Sequence, residues 1–184
     1  MSTLLQINTN LLPGNGASTL ANRFVAGWRR AHPDGKLIVR DLAAEPVPHL
    51  DRARFAAFVA RPEERTPEQA AAVAYSDRLI EQLKGAEVVV VVLPMHHAGV
   101  PSTLVAYFEN IARAGVTYGY TEKGLAGLLT DKTVYVFAAR GGPWARVPRD
   151  PQRTYIRDVL GFLGMTHVEF IYAEPDADIA RMAA

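Results

Sequence analysis

The sequence predicts a doubly wound α/β fold, in which helices cover both faces of a five-stranded parallel sheet. The first observation is the run from Val88 to Leu93, which consists of five valines and one leucine. Valine favours extended backbone, and an unbroken apolar run is typical of a central strand that is covered on both faces. The second observation is that strand and helix patterns alternate along the chain, which favours parallel strands joined by helices.

The N-terminal half is predicted to contain three strands and three helices. Ser18 is a suitable N-cap for the first helix, because its hydroxyl can accept a hydrogen bond from a backbone amide. Thr66, with Pro67 at the first helical position, predicts the start of a long helix that Gly85 ends. The predicted strands are 3–7, 36–39 and 88–93, with Asp41 just past the second, and the predicted helices are 18–30, 51–59 and 67–84.

The C-terminal half continues this alternation. Pro94 is expected to stop the pairing of the central strand, since proline has no backbone donor. Pro101 and Ser102 are expected to open a helix with apolar residues at helical spacing. The Gly- and Tyr-rich stretch 114–132 is expected to combine a hairpin with loops. The remaining predicted elements are helices 101–113 and 154–163, the second capped by Gly164, and strands 133–138 and 167–172.

These elements favour one particular strand order. Right-handed crossovers and a central third strand predict the order 2-1-3-4-5, the flavodoxin-like arrangement. A chain of 184 residues is long enough for a substantial core, so we expect a single domain over residues 1–184.

Composition narrows the class of function. The net charge is +1 and the basic residues are scattered, so no nucleic-acid surface is indicated. The sequence contains no Cys, which excludes disulfides, thiolate metal ligands and a cysteine nucleophile. Neither a signal peptide nor an apolar run of membrane-spanning length is evident. We therefore expect a cytoplasmic protein without nucleic-acid or membrane partners.

Three loops are expected to meet at one edge of the sheet, because the carboxyl ends of strands one, three and four adjoin in this order. The first loop, residues 9–18, leads into a helix N-terminus, where backbone amides and the helix dipole favour a phosphate. Gly14 and Gly16 allow a close backbone approach, and Ser18 and Thr19 can add hydroxyl donors. The segment matches neither the P-loop nor the GxGxxG pattern. An ordinary tight turn is the alternative.

The second and third loops could hold a flat ring. Residues 95–98 offer backbone amides and the Met95 side chain, and Arg140, which precedes two glycines, could offset negative charge. His96 and His97 suggest a metal site, but adjacent side chains rarely point at one ion and no carboxylate stands beside them, so we expect no metal. The alternatives are polar loop residues and a plain strand-to-helix turn. A phosphate site beside a ring site would suit flavin mononucleotide (FMN).

Several stretches of the chain resemble a known family. They are VRDLAAEPVPHLD at 39–51, Pro94-Met95, ARAGVTYGYTEKGLAGL at 112–128, ARGG at 139–142, GFLGM at 161–165 and HVEFIYAE at 167–174. The family is that of the bacterial FMN-dependent NADH-azoreductases, also described as NADH:quinone oxidoreductases. The resemblance runs from about Leu4 to Glu174. It implies a flavodoxin-like fold, a homodimer with the flavin at its interface, and two-electron reduction of quinones and azo compounds by NADH or NADPH.

The resemblance also implies which residues contact FMN. The phosphate contacts fall on Asn10, Gly16, Ala17 and Ser18. The ring contacts fall on Met95, His96, His97, Ala98, Ala139, Arg140, Gly141 and Gly142, and Tyr120 resembles a tyrosine that lies near the ring. We expect ping-pong transfer through the cofactor without a catalytic acid or base. Arg140 or a backbone amide would stabilise the negative charge of the reduced flavin.

The chain departs from the family at several of these positions. The family usually carries Ser at positions 10, 16 and 139, a polar residue at 17 and Tyr-Asn-Phe at 96–98. A lost neutral hydrogen bond costs about 1 kcal/mol and a lost bond to a charged phosphate somewhat more, so two or three losses would weaken FMN binding roughly ten- to a thousandfold. One alternative is therefore a flavin-free or weakly flavin-binding protein with a binding or regulatory role. A one-electron carrier is the other, although the charge of +1 argues against the acidic surface typical of such carriers.

Overall fold

The computed structural model describes residues 2–12, 14, 16–95, 97, 99–122, 124–139 and 150–173. Its strands are β1 (Thr3–Asn8), β2 (Lys36–Asp41), β3 (Val88–Pro94), β4 (Tyr118–Thr121), β5 (Gly124–Gly127), β6 (Thr133–Ala139) and β7 (His167–Ala173). Its α-helices are α1 (Gly16–Ala31), α2 (Arg52–Val59), α3 (Pro67–Lys84), α4 (Ser102–Ile111) and α5 (Pro151–Phe162), and a 3₁₀ turn covers Pro62–Glu64.

Five strands form one parallel sheet in the order β2-β1-β3-β6-β7, and β4 pairs with β5 in a separate antiparallel hairpin. The predicted order 2-1-3-4-5 counted only the strands of the sheet, and the same neighbours are found. β3 lies in the centre between β1 and β6, and all its contacts with them are parallel. The predicted hairpin in the stretch 114–132 is also confirmed.

The central strand is covered on both faces. Successive side chains of a strand point to opposite faces, and Val89 to Leu93 are all at most 1% exposed. Val90 and Val92 pack in a cluster with Leu20 and Val25 of α1. Val89 and Val91 belong to a second cluster that includes Leu79 of α3, Leu104 of α4 and Ile156 of α5.

Several element boundaries differ from the predicted ones. Helix α1 begins at Gly16 rather than after Ser18, because Ala17 is already fully buried against the sheet. Helix α5 begins at Pro151 rather than Thr154, since the Asp150 carboxylate accepts a hydrogen bond of 3.0 Å from the Arg153 amide. Helix α4 ends at Ile111, two residues before the predicted end.

Two strands run further than predicted. Asp41 is the last residue of β2 rather than the residue after it, because it still pairs with Asn8. Pro94 does not stop the pairing of β3, because the next amide, that of Met95, continues the ladder with a 3.2 Å bond to the Ala139 carbonyl. The ladder thus continues past Pro94, although Pro94 itself has no backbone donor.

The segment between β2 and α3 is held to the body of the fold by a buried carboxamide. The Asn110 side chain of α4 donates 2.8 Å hydrogen bonds to the carbonyls of Pro48 and Ala106. The short helix predicted over 51–59 is confirmed as α2, with Asp51 as its N-cap, which accepts a 2.7 Å bond from the Arg54 amide. Among the described helices, none combines the length and the apolar character needed to cross a bilayer.

Candidate functional site

The structure brings the ends of three predicted loops to one edge of the sheet. Strands β1, β3 and β6 are consecutive neighbours, and they end at Asn8, Pro94 and Ala139. Asn8 lies opposite Val92 of β3, and Pro94 lies opposite Ala139. We refer to this edge as the rim. The strand ends at the rim are adjacent, at the position where open α/β sheets bind their ligands.

The loop after β1 is closed onto α1 by Asn10. The Asn10 carboxamide donates a 2.6 Å hydrogen bond to the Ser18 hydroxyl and a second one to the Leu12 carbonyl, and it accepts a 3.2 Å bond from the Leu12 amide. Asn10 is only 7% exposed. Its side chain therefore organises the loop from within, and this brings two of the predicted phosphate-binding residues into direct contact.

Gly16 and Ala17 contribute main chain rather than side chain. Helix α1 begins at Gly16, and the first amides of a helix have no partner within the helix, so they favour an anion there. A Cβ at Gly16 would lie 2.8 Å from the Ala173 side chain at the end of β7. Only glycine allows this close approach. The Ala17 methyl group is fully buried in the same cluster as Val90 and Val92 of β3.

Two polar residues at the end of β1 were not predicted as part of the site. The Thr9 hydroxyl is fully buried and donates a 2.7 Å bond to the Val92 carbonyl, which ties the first loop to β3. The Asn8 side chain accepts a 3.3 Å bond from the Asn10 amide and donates a 3.0 Å bond to Asp41. A threonine directly after a strand could have been recognised as a candidate clamp, but its partner depends on the strand order.

The loop after β3 is described at Met95, His97 and Gly99. The Met95 amide is used in the sheet ladder, as described above, so a contact from Met95 to a ring falls to its side chain. His97 is exposed and has a φ of 49°, a left-handed conformation that histidine adopts more readily than most residues. The predicted ring contacts at His96, Ala98, Arg140, Gly141 and Gly142 lie outside the described residues.

A buried glutamine that the sequence did not single out lies under this loop. The Gln152 carboxamide donates 2.9 Å and 2.8 Å hydrogen bonds to the carbonyls of Pro94 and Gly99. Gln152 is the second residue of α5 and is 2% exposed. The N-terminal end of α5 therefore adjoins the rim.

Tyr120 lies near the other end of α5. Its ring is 6.3 Å from that of Tyr118, which in turn is 4.6 Å from the ring of Phe162, the last residue of the helix. Helix α5 has 12 residues and spans about 18 Å, and this length separates its Tyr120 end from its Gln152 end. Tyr120 is 79% exposed, and its predicted place near a flavin ring stays a prediction.

Comparison with known proteins gives the same fold and a consistent chemistry. The family model described as flavodoxin-like fold matches residues 2–184. An FMN-dependent NADH:quinone oxidoreductase of Cellvibrio japonicus is 50% identical over 175 residues, which cover 95% of this chain and 88% of the relative. FMN-dependent NADH:quinone oxidoreductase 6 of Burkholderia lata is 47% identical over 189 residues, covering 100% and 96%.

Solved structures show the same relationship. The crystal structure of an azoreductase from Bacillus anthracis superimposes with a TM-score of 0.86 at 28% identity and covers 100% of this chain and 91% of its own. Since the family model spans nearly the whole chain and the relatives are similar over nearly their whole length, this chain belongs to the flavodoxin-like family that includes these FMN-dependent NADH:quinone oxidoreductases.

Proposed function

We propose that the protein is an FMN-dependent NADH oxidoreductase that reduces quinones and azo compounds. The observation that carries the proposal is the rim. The three strands that end there, β1, β3 and β6, are adjacent, and the loop after β1 leads to the N-terminus of α1. The names of the relatives, which are about half identical to this chain, indicate the same cofactor, donor and quinone acceptors. The name of the structural neighbour supports the azo acceptors.

The described residues fit a phosphate at the start of α1. Gly16 has no Cβ, and a Cβ there would collide with Ala173. The absence of a side chain leaves the main chain at this position accessible. The Asn10 carboxamide holds the Ser18 hydroxyl at 2.6 Å, which positions this hydroxyl at the first turn of α1. We assign phosphate binding to Asn10, Gly16, Ala17 and Ser18, chiefly through the backbone amides at the start of α1.

The ring would be held by the loops after β3 and β6. We assign it to Met95, His96, His97, Ala98, Ala139, Arg140, Gly141 and Gly142. The bond between the Met95 amide and the Ala139 carbonyl joins the described ends of these two loops. Bound FMN would supply the redox chemistry, because it accepts a hydride from NADH or NADPH and passes two electrons to the acceptor. The residues of the chain bind and orient the reactants, and Arg140 would offset negative charge on the ring.

We further propose a cytoplasmic homodimer with the flavin sites at its interface and a single flavodoxin-like domain in each protomer. The exposed apolar side chains of the hairpin region support the interface. Tyr120 is 79% exposed, Leu128 is 49% exposed and Leu125 is 47% exposed. A second copy that covers this surface could also bring Tyr120 towards a ring.

A flavin-free or weakly flavin-binding protein is the second candidate. The Asn10 carboxamide supports it, because the described hydrogen bonds of this side chain go to Leu12 and Ser18 of its own loop. The two candidates differ in what FMN does. The enzyme should be yellow or should bind added FMN, whereas a flavin-free protein should be colourless after purification and should not bind added FMN.

The test is to titrate the apo-protein with FMN and then to follow NADH oxidation with menadione or methyl red as acceptor. We expect saturable binding and acceptor-dependent NADH oxidation. Gly16→Ala should weaken FMN binding roughly tenfold, because the added Cβ would collide with Ala173 and displace the start of α1. Gly27→Ala is the matched control on the same helix, because its Cβ would meet only the Arg30 side chain at 3.8 Å. Flavin binding without acceptor-dependent oxidation would contradict the enzyme assignment.

A further inference from the structure

The residue of interest is Gln152, which joins both ends of the loop after β3. Its Nε2 atom donates to the Pro94 carbonyl before the loop and to the Gly99 carbonyl after it, at 2.9 and 2.8 Å. A side-chain NH₂ group has two protons, and both are used here. One planar group thus joins the two residues that flank 95–98, which are four of the eight positions to which ring contacts are assigned.

The position of Gln152 is itself well determined. Asp150 caps α5 by accepting a bond from the Arg153 amide, and its other carboxylate oxygen accepts a 2.6 Å bond from the Tyr172 hydroxyl of β7. Pro151 occupies the first turn, where its φ suits a helix. The donor is therefore fixed to the edge of the sheet rather than carried by a mobile surface helix.

The two acceptors depend on this donor. Pro94 is buried and Gly99 is half-buried, so loss of the carboxamide would leave carbonyl oxygens with unsatisfied hydrogen-bonding capacity in a poorly solvated place. Further described restraints on the loop include the 3.2 Å bond from the Met95 amide, the left-handed backbone at His97 and a backbone β-bridge at Gly99. Without Gln152, the loop end at Gly99 would lose a direct connection to α5.

We infer that Gln152 is a positioning residue, which sets the direction of the backbone between Pro94 and Gly99 and so prepares this loop for the flavin ring. The inference rests on the proposed function for its ligand, but the loop geometry that it concerns exists without FMN. A binding loop must be held within a fraction of an ångström by its supporting residues to be effective. Gln152 supplies this support from outside the ring contacts.

The first measurement is hydrogen–deuterium exchange of the apo-protein, read on the peptide that covers residues 95–100. Gln152→Met keeps the length of the side chain but removes both donors, and Gln152→Glu keeps its shape. Both variants should accelerate exchange in this peptide roughly tenfold, as expected for the loss of one or two neutral hydrogen bonds. Exchange at the wild-type rate in the Met variant would overturn the inference.

Asn110→Leu is the matched control. The Asn110 carboxamide is also buried and also donates to two carbonyls, those of Pro48 and Ala106. Gln152→Met and Asn110→Leu should each lower the melting temperature, but Asn110→Leu should leave exchange at residues 95–100 unchanged. Equal acceleration in the control would mean that the loop responds to general loosening of the fold, which would also overturn the inference.

The second measurement is the FMN dissociation constant, obtained from the quenching of flavin fluorescence. Gln152→Met should weaken binding roughly tenfold, while Asn110→Leu should stay within about twofold of the wild type. If the wild type binds no FMN, the proposed function fails, and the exchange experiment still decides the role of Gln152. If FMN binds equally well to the wild type and the Met variant, the inference about Gln152 fails alone.

A wild-type measurement covers the case in which neither Gln152 variant folds. In the ¹⁵N spectrum, the two Gln152 side-chain amide protons should exchange with deuterium much more slowly than those of a free glutamine side chain, because both are hydrogen-bonded in a buried place. Fast exchange of these protons would contradict the arrangement on which the inference depends.

Discussion

At the scale of single residues, Tyr107 stands out because its hydroxyl is buried without a described hydrogen bond. The residue is 1% exposed, and its hydroxyl has no hydrogen-bond partner among the residues that the structure describes. Burial raises the pKa of this hydroxyl far above its ordinary value, while the Arg40 guanidinium acts in the opposite direction. An unsatisfied buried hydroxyl costs about 1–3 kcal/mol.

Tyr107→Phe should therefore increase the free energy of unfolding by about 1 kcal/mol at pH 8 or leave it unchanged. A raised pKa in the folded state means that the hydroxyl stays protonated there, while the unfolded chain loses its proton above its ordinary pKa of 10.0. Stability is then lost as pH rises above 10, and the Phe variant should lose less of it. Urea unfolding at pH 8 and pH 10.5 measures both effects.

Tyr120→Phe is the control for this substitution, because it removes a hydroxyl from an exposed ring. It should not change stability at pH 8. A loss of more than about 1 kcal/mol in Tyr107→Phe would show that the hydroxyl has a partner, such as an ordered water.

At the scale of elements, the hairpin is attached to the end of α5 by a backbone contact. A Cβ at Gly127 of β5 would lie 2.0 Å from the Gly164 nitrogen and 2.2 Å from the Leu163 carbonyl carbon. Gly164 itself has a φ of 101° and ends the helix, as predicted. The two glycines allow the two backbones to touch, and the Leu129 amide continues this contact with a 2.9 Å bond to Leu163.

Gly127→Ala should consequently lower the free energy of unfolding by at least about 3 kcal/mol, because the backbone must move to admit the methyl group. Gly119→Ala is the control in the same hairpin, since nothing lies within 4 Å of its Cβ position. It should cost less than about 0.5 kcal/mol. Chemical unfolding of the two variants measures the difference, and equal losses would contradict the contact.

The elements were predictable where a local signal sets them. Thr66 and Pro67 start α3, and the structure shows the capping box that Thr66 makes with Gln69. The valine run became the central strand because burial on both faces leaves its mark directly on the sequence. The start of α5 lies three residues before the predicted one, because the cap at Asp150 is supported by Tyr172, a partner 22 residues away.

The candidate site was predictable only in outline. The positions of the loops follow from the strand order, and the strand order follows from the alternation of elements. Thr9 and Gln152 were missed because their partners, Val92, Pro94 and Gly99, are more than fifty residues distant in sequence. A side chain whose role is to hold another segment's carbonyl leaves no periodic pattern in its own neighbourhood.

At the scale of the whole molecule, we can test whether the exposed apolar surface of the hairpin forms the interface of the proposed homodimer. We expect the wild type to run in size-exclusion chromatography with light scattering at twice the mass of the chain. Leu125→Asp places a charge on the exposed hairpin surface, so it should shift the protein towards the monomer and weaken FMN binding. Ala71→Asp on the exposed side of α3 is the control and should remain dimeric. A dimer that is indifferent to Leu125→Asp would exclude this surface as the interface.

The positive φ of His97 has a consequence for variation at this position. Randomising residue 97 and sorting for folded protein should enrich glycine, asparagine, aspartate and histidine and deplete valine, isoleucine and threonine, because branching at Cβ is poorly tolerated in that region of backbone space. The exchange of asparagine for histidine relative to the family is then conformationally neutral. The side chains of the proposed FMN pocket can thus change while the backbone that surrounds the ligand keeps its conformation.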